Sequence, residues 1–282
     1  MNEPRVYKHS PVIIVIFILM LVGFIVLLSS GIFDGGLVEI ALLLLLFGLI
    51  FSVVVFSYSS KTTLSDDEIS SQNIFGTRTL RWTEVHRVSG RGYNIKLHNF
   101  DEDVTVAPSP QLPHYEEIVE QIGEKRPDLF SPQEFSEMKR GFGFLAGIGV
   151  LVLAVIGFAV FFTLQIGDLF SSNFFFIVIA LLVVFAFVIY KIVATVPMSV
   201  ILEGHHLFLK YLVGQRTLPA DEIKFIRLSY TQSRNGKIYF VEVSLVNGRA
   251  LRLSGLSPNL PTAYLVLKNW HKSHALNRQT NP

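Results

Sequence analysis

Residues 11–58 read PVIIVIFILMLVGFIVLLSSGIFDGGLVEIALLLLLFGLIFSVVVFSY. Two apolar runs, Pro11–Ser30 and Leu37–Tyr58, flank the short link Gly31–Gly36. The only charges are Asp34 in the link and Glu39 at the start of the second run. A bilayer core of about 30 Å needs roughly 20 apolar residues in a helix. Both runs meet that demand, and a link this short makes them an antiparallel hairpin. The pattern recurs at Phe142–Ile166 and Phe174–Tyr190, which contain no charge and are joined through Gln165 to Asn173. Arg5 and Lys8 ahead of the first run suggest a signal peptide, but no small-x-small cleavage site follows, so the run reads as a span.

The whole composition agrees. Of 282 residues, 50% are hydrophobic and 16% charged, against about 25% charged in soluble domains. That excludes an ordinary soluble protein and a disordered one. Without cysteine there is no disulfide scaffold, thiolate zinc site or cysteine nucleophile. A net charge of +2 makes no case for nucleic acid.

Lysine and arginine orient the spans. Arg5, Lys8, Lys61, Lys139, Arg140 and Lys191 flank them on one side, whereas the links hold Asp34 and Asp168 and no base. Both termini and both polar regions are therefore expected in the cytoplasm. The plan is a tail (1–10), a hairpin (11–58), a polar domain (60–130), a connector (131–141), a second hairpin (142–194), a second polar domain (196–275) and a tail (276–282). In the connector, Ser131-Pro132-Gln133-Glu134 has the spacing of a capping box and predicts a short interfacial helix.

The polar regions align with one another. Shifted by 138, Gly76-Thr77-Arg78-Thr79-Leu80 meets Gly214-Gln215-Arg216-Thr217-Leu218, Glu84-Val85 meets Glu222-Ile223, and Ile69, Ile74 and Val88 meet Leu207, Leu212 and Ile226. With ten further residues in the second copy, Ser109-Pro110-Gln111-Leu112-Pro113 meets Ser257-Pro258-Asn259-Leu260-Pro261 at an offset of 148. The repeated unit is a hairpin plus a polar domain.

Each domain reads as short strands followed by one helix. In the first, Glu68–Ile74, Arg78–Trp82, Tyr93–His98 and Asp103–Val106 are rich in β-formers and bounded by turn signals. In the second, Asn235-Gly236 marks a hairpin. Tyr239–Leu245 and Arg249–Ser254 form another. A three-residue loop, Val246–Gly248, sets Val243 against Leu251, Val241 against Leu253 and Glu242 against Arg252, with Gly248 left-handed. Tyr115, Ile118, Val119 and Ile122 form one helical stripe that Gly123 ends; the second copy of the stripe is Ala263, Val266, Leu267 and Trp270.

Strands closed by one C-terminal helix, directly after a membrane hairpin, with the segments Gly76–Val85 and Gly214–Ile223, resemble the bacterial pleckstrin-homology-like (PH-like) domains of membrane proteins. The resemblance covers about half the chain, and the second copy departs from it with Ala220 where the first has Trp82. It implies an α+β membrane protein: four transmembrane helices and two small β-barrel-plus-helix domains in the bacterial cytoplasmic (inner) membrane. It fixes no ligand.

No motif for catalysis, cofactor or metal stands out. The spans lack the mid-membrane charge that marks a transport path. His205-His206 fall on a predicted strand and point to opposite faces; His271 and His274 lie one turn apart on a solvated helix end. His86, His98 and His114 are isolated, and Asp101-Glu102-Asp103 reads as a solvated turn. Gly143 and Gly147 form a GxxxG suited to helix packing.

Charge separates the copies: Ser60–Pro132 carries −4 and Val196–Pro282 carries +7. Mutual attraction, binding of the basic copy to anionic lipid and neutral surface drift all fit. Lys210, Arg216, Lys224, Arg227, Arg249 and Arg252 are the candidate lipid- or partner-binding residues; Arg78, Arg81, Arg87 and Arg91 are the sparser equivalents. The expected function is a non-enzymatic scaffold that binds itself or another membrane protein. The alternative is an anionic-headgroup sensor acting through the second domain.

Overall fold

The computed structural model describes residues 3–30, 36–165, 172–234 and 236–276. The chain divides into two units, residues 1–89 with 94–129, and residues 90–93 with 130–282. The class is α+β: among the described residues there are six α-helices and four small antiparallel sheets.

In the first unit, β1 (Arg5–Lys8) precedes the helices α1 (Val12–Ser29) and α2 (Leu37–Tyr58). Then come β2 (Lys61–Leu64), β3 (Glu68–Asn73) and β4 (Gly76–Arg81), a 3-10 turn (Trp82–Glu84), β5 (Arg87–Ser89), β6 (Lys96–His98), β7 (Thr105–Val106) and α3 (Tyr115–Lys125). The second unit has β8 (Glu137–Lys139), α4 (Phe142–Gln165), α5 (Ser172–Thr195), β9 (Ser199–Glu203), β10 (His206–Lys210) and β11 (Gln215–Pro219). A 3-10 turn (Ala220–Glu222), β12 (Ile223–Ser233), β13 (Gly236–Leu245), β14 (Ala250–Leu253) and α6 (Leu260–Leu276) complete it. The element order is the same in both. The four-stranded sheets run β1-β2-β3-β4 and β8-β9-β10-β11, and the three-stranded sheets run β5-β6-β7 and β12-β13-β14.

Among the described residues, three helices have stretches long and apolar enough to cross a membrane: Val12–Ser29, Val38–Val55 and Gly143–Phe161. The fourth expected span falls on α5, whose apolar stretch among the described residues is Ile179–Thr195. Phe24 stacks on Phe47 at 3.9 Å, joining α1 to α2. The hairpin-link residues 31–35 and 166–171, with Asp34 and Asp168, lie outside the described residues, as do Asn235 and the tail beyond Leu276.

Two segments expected as a tail and a connector are strands. Arg5–Lys8 pairs with Lys61–Leu64 across the base of the hairpin, Tyr7 facing Thr62. Glu137–Lys139 pairs with β9, Met138 facing Val200. The interfacial helix predicted from Ser131–Glu134 is only a turn, closed by Glu134 and Phe135 N–H donating to Ser131 O. Ser131 Oγ donates to Gln133 Oε1 rather than capping a helix, and Met138 is drawn into the core, 1% exposed. Gly123 does not end its helix, which continues to Lys125. Ile74 lies past the end of β3 in an exposed turn.

The cores follow the predicted patterns. Tyr115, Ile118, Val119 and Ile122 of α3 are buried, as are Ala263, Val266, Leu267 and Trp270 of α6. In the β13–β14 hairpin Val241 faces Leu253, Glu242 faces Arg252 and Val243 faces Leu251. Gly248 N–H donates to Leu245 O, and its φ of +81° is the left-handed conformation that glycine adopts without strain. The β12–β13 hairpin, far longer than β5–β6, holds most of the second copy's additional residues.

The exchange of Trp82 for Ala220 has a structural answer. In the first unit the indole comes from the 3-10 turn, and Trp82 Nε1 donates to Ser65 O in the β2–β3 turn at 3.1 Å. In the second unit Ala220 is small, and α6 supplies Trp270, whose Nε1 donates to Gly204 O in the β9–β10 turn at 2.9 Å. A buried indole needs an acceptor, and in each unit the same turn provides it.

Candidate functional site

The end of each four-stranded sheet from which the apolar helices leave gathers the notable polar residues. Facing residues in an antiparallel sheet share a face, so each register row can be read across all four strands. In the first unit one inward row is Tyr7, Thr62, Ser71, Arg78. The corresponding row in the second unit is Met138, Val200, Leu209, Arg216. Both end on an arginine, but the first is polar and the second apolar.

That difference accompanies an open cavity of about 370 Å³ in the first unit, lined by Ser71, Phe75, Thr77, Arg78, Lys96 and Thr105 among others. Ser71 Oγ donates to Ala107 O at 3.4 Å, tying β3 to the strand edge beyond β7. Arg78 and Lys96 form no ion pair among the described residues. Two cations and three hydroxyls around one space suit a small anion. Beside it, His98 lies between Ser89 Oγ, 2.7 Å from Nε2, and Thr105 Oγ1, 3.0 Å from Nδ1. Burial lowers its pKa, favouring neutral imidazole.

The next row outward is basic. Lys8 faces Lys61, which faces Gln72; Lys139 faces Ser199, which faces Lys210. Arg140, at the start of α4, is half-buried. Its N–H groups donate to Pro197 O and Ser254 Oγ, each at 3.2 Å, and its guanidinium lies 4.5 Å from the Phe144 ring centroid. Burial lowers its pKa.

The six basic candidates of the second unit do not form one cluster. Lys210 and Arg216 lie on opposite faces of the β9–β11 sheet. Lys224 sits at an irregularity in β12, and Arg249 follows the β13–β14 turn. Arg227 and Arg252 flank Glu242 on the outer face of β12–β14. Glu242 accepts from Arg227 at 3.0 Å and from Ser229 at 3.2 Å. Arg252 stacks over Phe240 at 4.7 Å. The face is an aromatic and ion-paired lattice rather than a bare positive patch.

A Cβ built on Gly143 or Gly147 meets nothing within 4 Å, so neither packs against another described residue. His205 lies in the β9–β10 turn, not on a strand, with its ring 4.6 Å from that of His274. His271 Nε2 is 2.9 Å from Ile223 O, and His274 Nδ1 is 2.7 Å from Trp270 O. Lys96, Ser71 and Thr105 escaped sequence reasoning because three different strands bring them together. The only signal was the repeat, which placed Arg78 on Arg216.

No protein-family model matches the sequence, and no curated protein matches it either.

Proposed function

We propose that this chain is a non-enzymatic scaffold of the bacterial inner membrane, a tandem duplication of one unit. Each unit would consist of two transmembrane helices carrying a PH-like domain, with both termini in the cytoplasm. The observation that carries the reading is the strand placed ahead of each hairpin. β1 and β8 pair with the strands that follow the helices, so each sheet is built across the base of its own hairpin. A domain attached at both helix ends is held in a defined attitude to the membrane, as a docking platform needs. The basic flanks and base-free links support the orientation. The outer face of β12–β14, with Phe225, Arg227, Glu242 and Arg252, has the mixed aromatic and charged chemistry common in protein interfaces.

The test uses the full-length chain purified from its membrane. The scaffold reading expects a stoichiometric protein partner or a defined oligomer by native mass spectrometry, lost in Phe225→Asp or Arg252→Glu. A monomer that responds only to anionic lipid content would favour headgroup sensing instead. One observation supports that second reading, the Arg78 and Lys96 cavity, and it moves the sensor from the basic unit to the acidic one.

A further inference from the structure

The turns that join β3 to β4 and β10 to β11 expose paired large apolar side chains. Ile74 and Phe75 are 52% and 80% exposed; Leu212 and Val213 are 59% and 69% exposed. The glycine after each pair has positive φ, Gly76 at +139° and Gly214 at +93°, so both tips turn tightly. We propose that these two tips are seated in the interfacial zone of the bilayer that the apolar helices cross, so that each unit grips lipid with a two-residue apolar finger as well as with its spans. The proposal rests on the membrane reading and adds a contact to it.

Register carries the argument. Lys8 is the last residue of β1, and only His9, Ser10 and Pro11 separate it from α1. Lys61 is the first residue of β2, separated from α2 by Ser59 and Ser60. Both helices therefore leave from one end of the sheet, at the row Lys8·Lys61·Gln72. The chain continues past Gln72 through Asn73 to Ile74 and Phe75, beyond that row. At about 3.4 Å per residue the tip reaches roughly 7 Å further, and lies one to two strand spacings of about 4.8 Å from β2. The second unit repeats this. Lys139, separated from α4 by Arg140 and Gly141, faces Ser199, which faces Lys210; Tyr211, Leu212 and Val213 extend past it. Tyr211 N–H donates to Gly214 O at 3.0 Å, closing the tip.

The chemistry suits the interface. Apolar tips backed by Lys8 and Lys61, or by Lys139 and Lys210, put hydrocarbon at the acyl boundary and cations at headgroup level. Tyr211 is an aromatic of the kind enriched there. The residues differ between units, Ile-Phe and Leu-Val, while the exposed apolar character and position agree.

The chain has no cysteine, so single labels need no background substitutions. Full-length Ile74→Cys and Val213→Cys, each carrying an environment-sensitive fluorophore, are reconstituted into phosphatidylcholine vesicles with and without brominated acyl chains. Asp67→Cys and Glu203→Cys mark the opposite ends of the sheets, and Leu45→Cys marks a span. Loss of most of the emission at 74 and 213, with none at 67 and 203, is expected. Emission at 74 or 213 that brominated lipid leaves as intact as at 67 and 203, while Leu45 is quenched, overturns the proposal and spares the membrane reading. An unquenched Leu45 overturns both. Phe75→Cys and Leu212→Cys repeat the measurement at the neighbouring tip residues and must give the same result.

Discussion

Trp270 and Ala220 are one decision made at two positions. The indole comes from the 3-10 turn in the first unit and from α6 in the second, where its N–H meets the carbonyl of Gly204. Trp270→Ala is expected to cost about 3–5 kcal/mol, read by denaturant unfolding of the second unit. Ala220→Trp alone overfills the core. The pair Trp270→Ile with Ala220→Trp recreates the first unit's arrangement and is expected to recover part of the loss, a coupling that a double-mutant cycle measures. Arg126 is a second such residue. Its Nη1 donates to Trp82 O at 2.7 Å and also to Val85 O, and its Nε and Nη2 grip Asp128 at 2.9 and 2.6 Å. Hydrogen bonding from Arg126 holds Asp128 below the usual carboxylate pKa. The stability that pair adds is therefore present above the ordinary carboxylate range and lost as pH falls through the depressed value. Arg126→Ala takes the side-chain donor from Val85 O and from Trp82 O, which keeps only the long bond from Val85 N–H, and is expected to cost about 1–3 kcal/mol, with a weaker acid dependence in the first unit's unfolding.

At the scale of elements, hairpins and helices differ in how plainly they are written. The β13–β14 register was legible because slipping one residue would turn Val241, Val243, Leu251 and Leu253 out of the core. The helical stripes were legible because four apolar positions repeat at helical spacing in both copies. β1 and β8 were not: RVYK and EMK are too short to alternate, and each has one buried residue, Tyr7 or Met138. Their partners lie across a hairpin, so nothing local announces the pairing. Ser131–Glu134 shows the opposite error, a capping pattern with no apolar helix behind it. The cavity around Arg78 was illegible for the reason β1 was, since Lys96 and Thr105 arrive from other strands. Gly248→Ala tests the legible part. No neighbour crowds the added methyl, so the cost is the left-handed backbone alone, expected at about 1–2 kcal/mol, with the hairpin register unchanged as read by hydrogen exchange.

At the scale of the whole molecule, each unit joins a pair of long apolar helices to a folded sheet through very short connections. Deleting residues 3–8 removes an edge strand and uncovers Thr62, whose hydroxyl has no partner among the described residues. The deletion is expected to abolish amide protection in β2 while leaving β12–β14 protected, read by hydrogen exchange of the full chain in detergent. Thr62→Val puts at this position the residue found in the second unit. Losing an unmet buried hydroxyl is expected to raise stability by about 1 kcal/mol, measured as a higher denaturation midpoint.

A strand ahead of its hairpin also sets a schedule for biosynthesis. Residues 5–8 leave the ribosome first, yet their mate, residues 61–64, follows only after both apolar segments have emerged. The early strand must wait for its mate. Closure of each four-stranded sheet thus comes only after both apolar helices of its unit have been made.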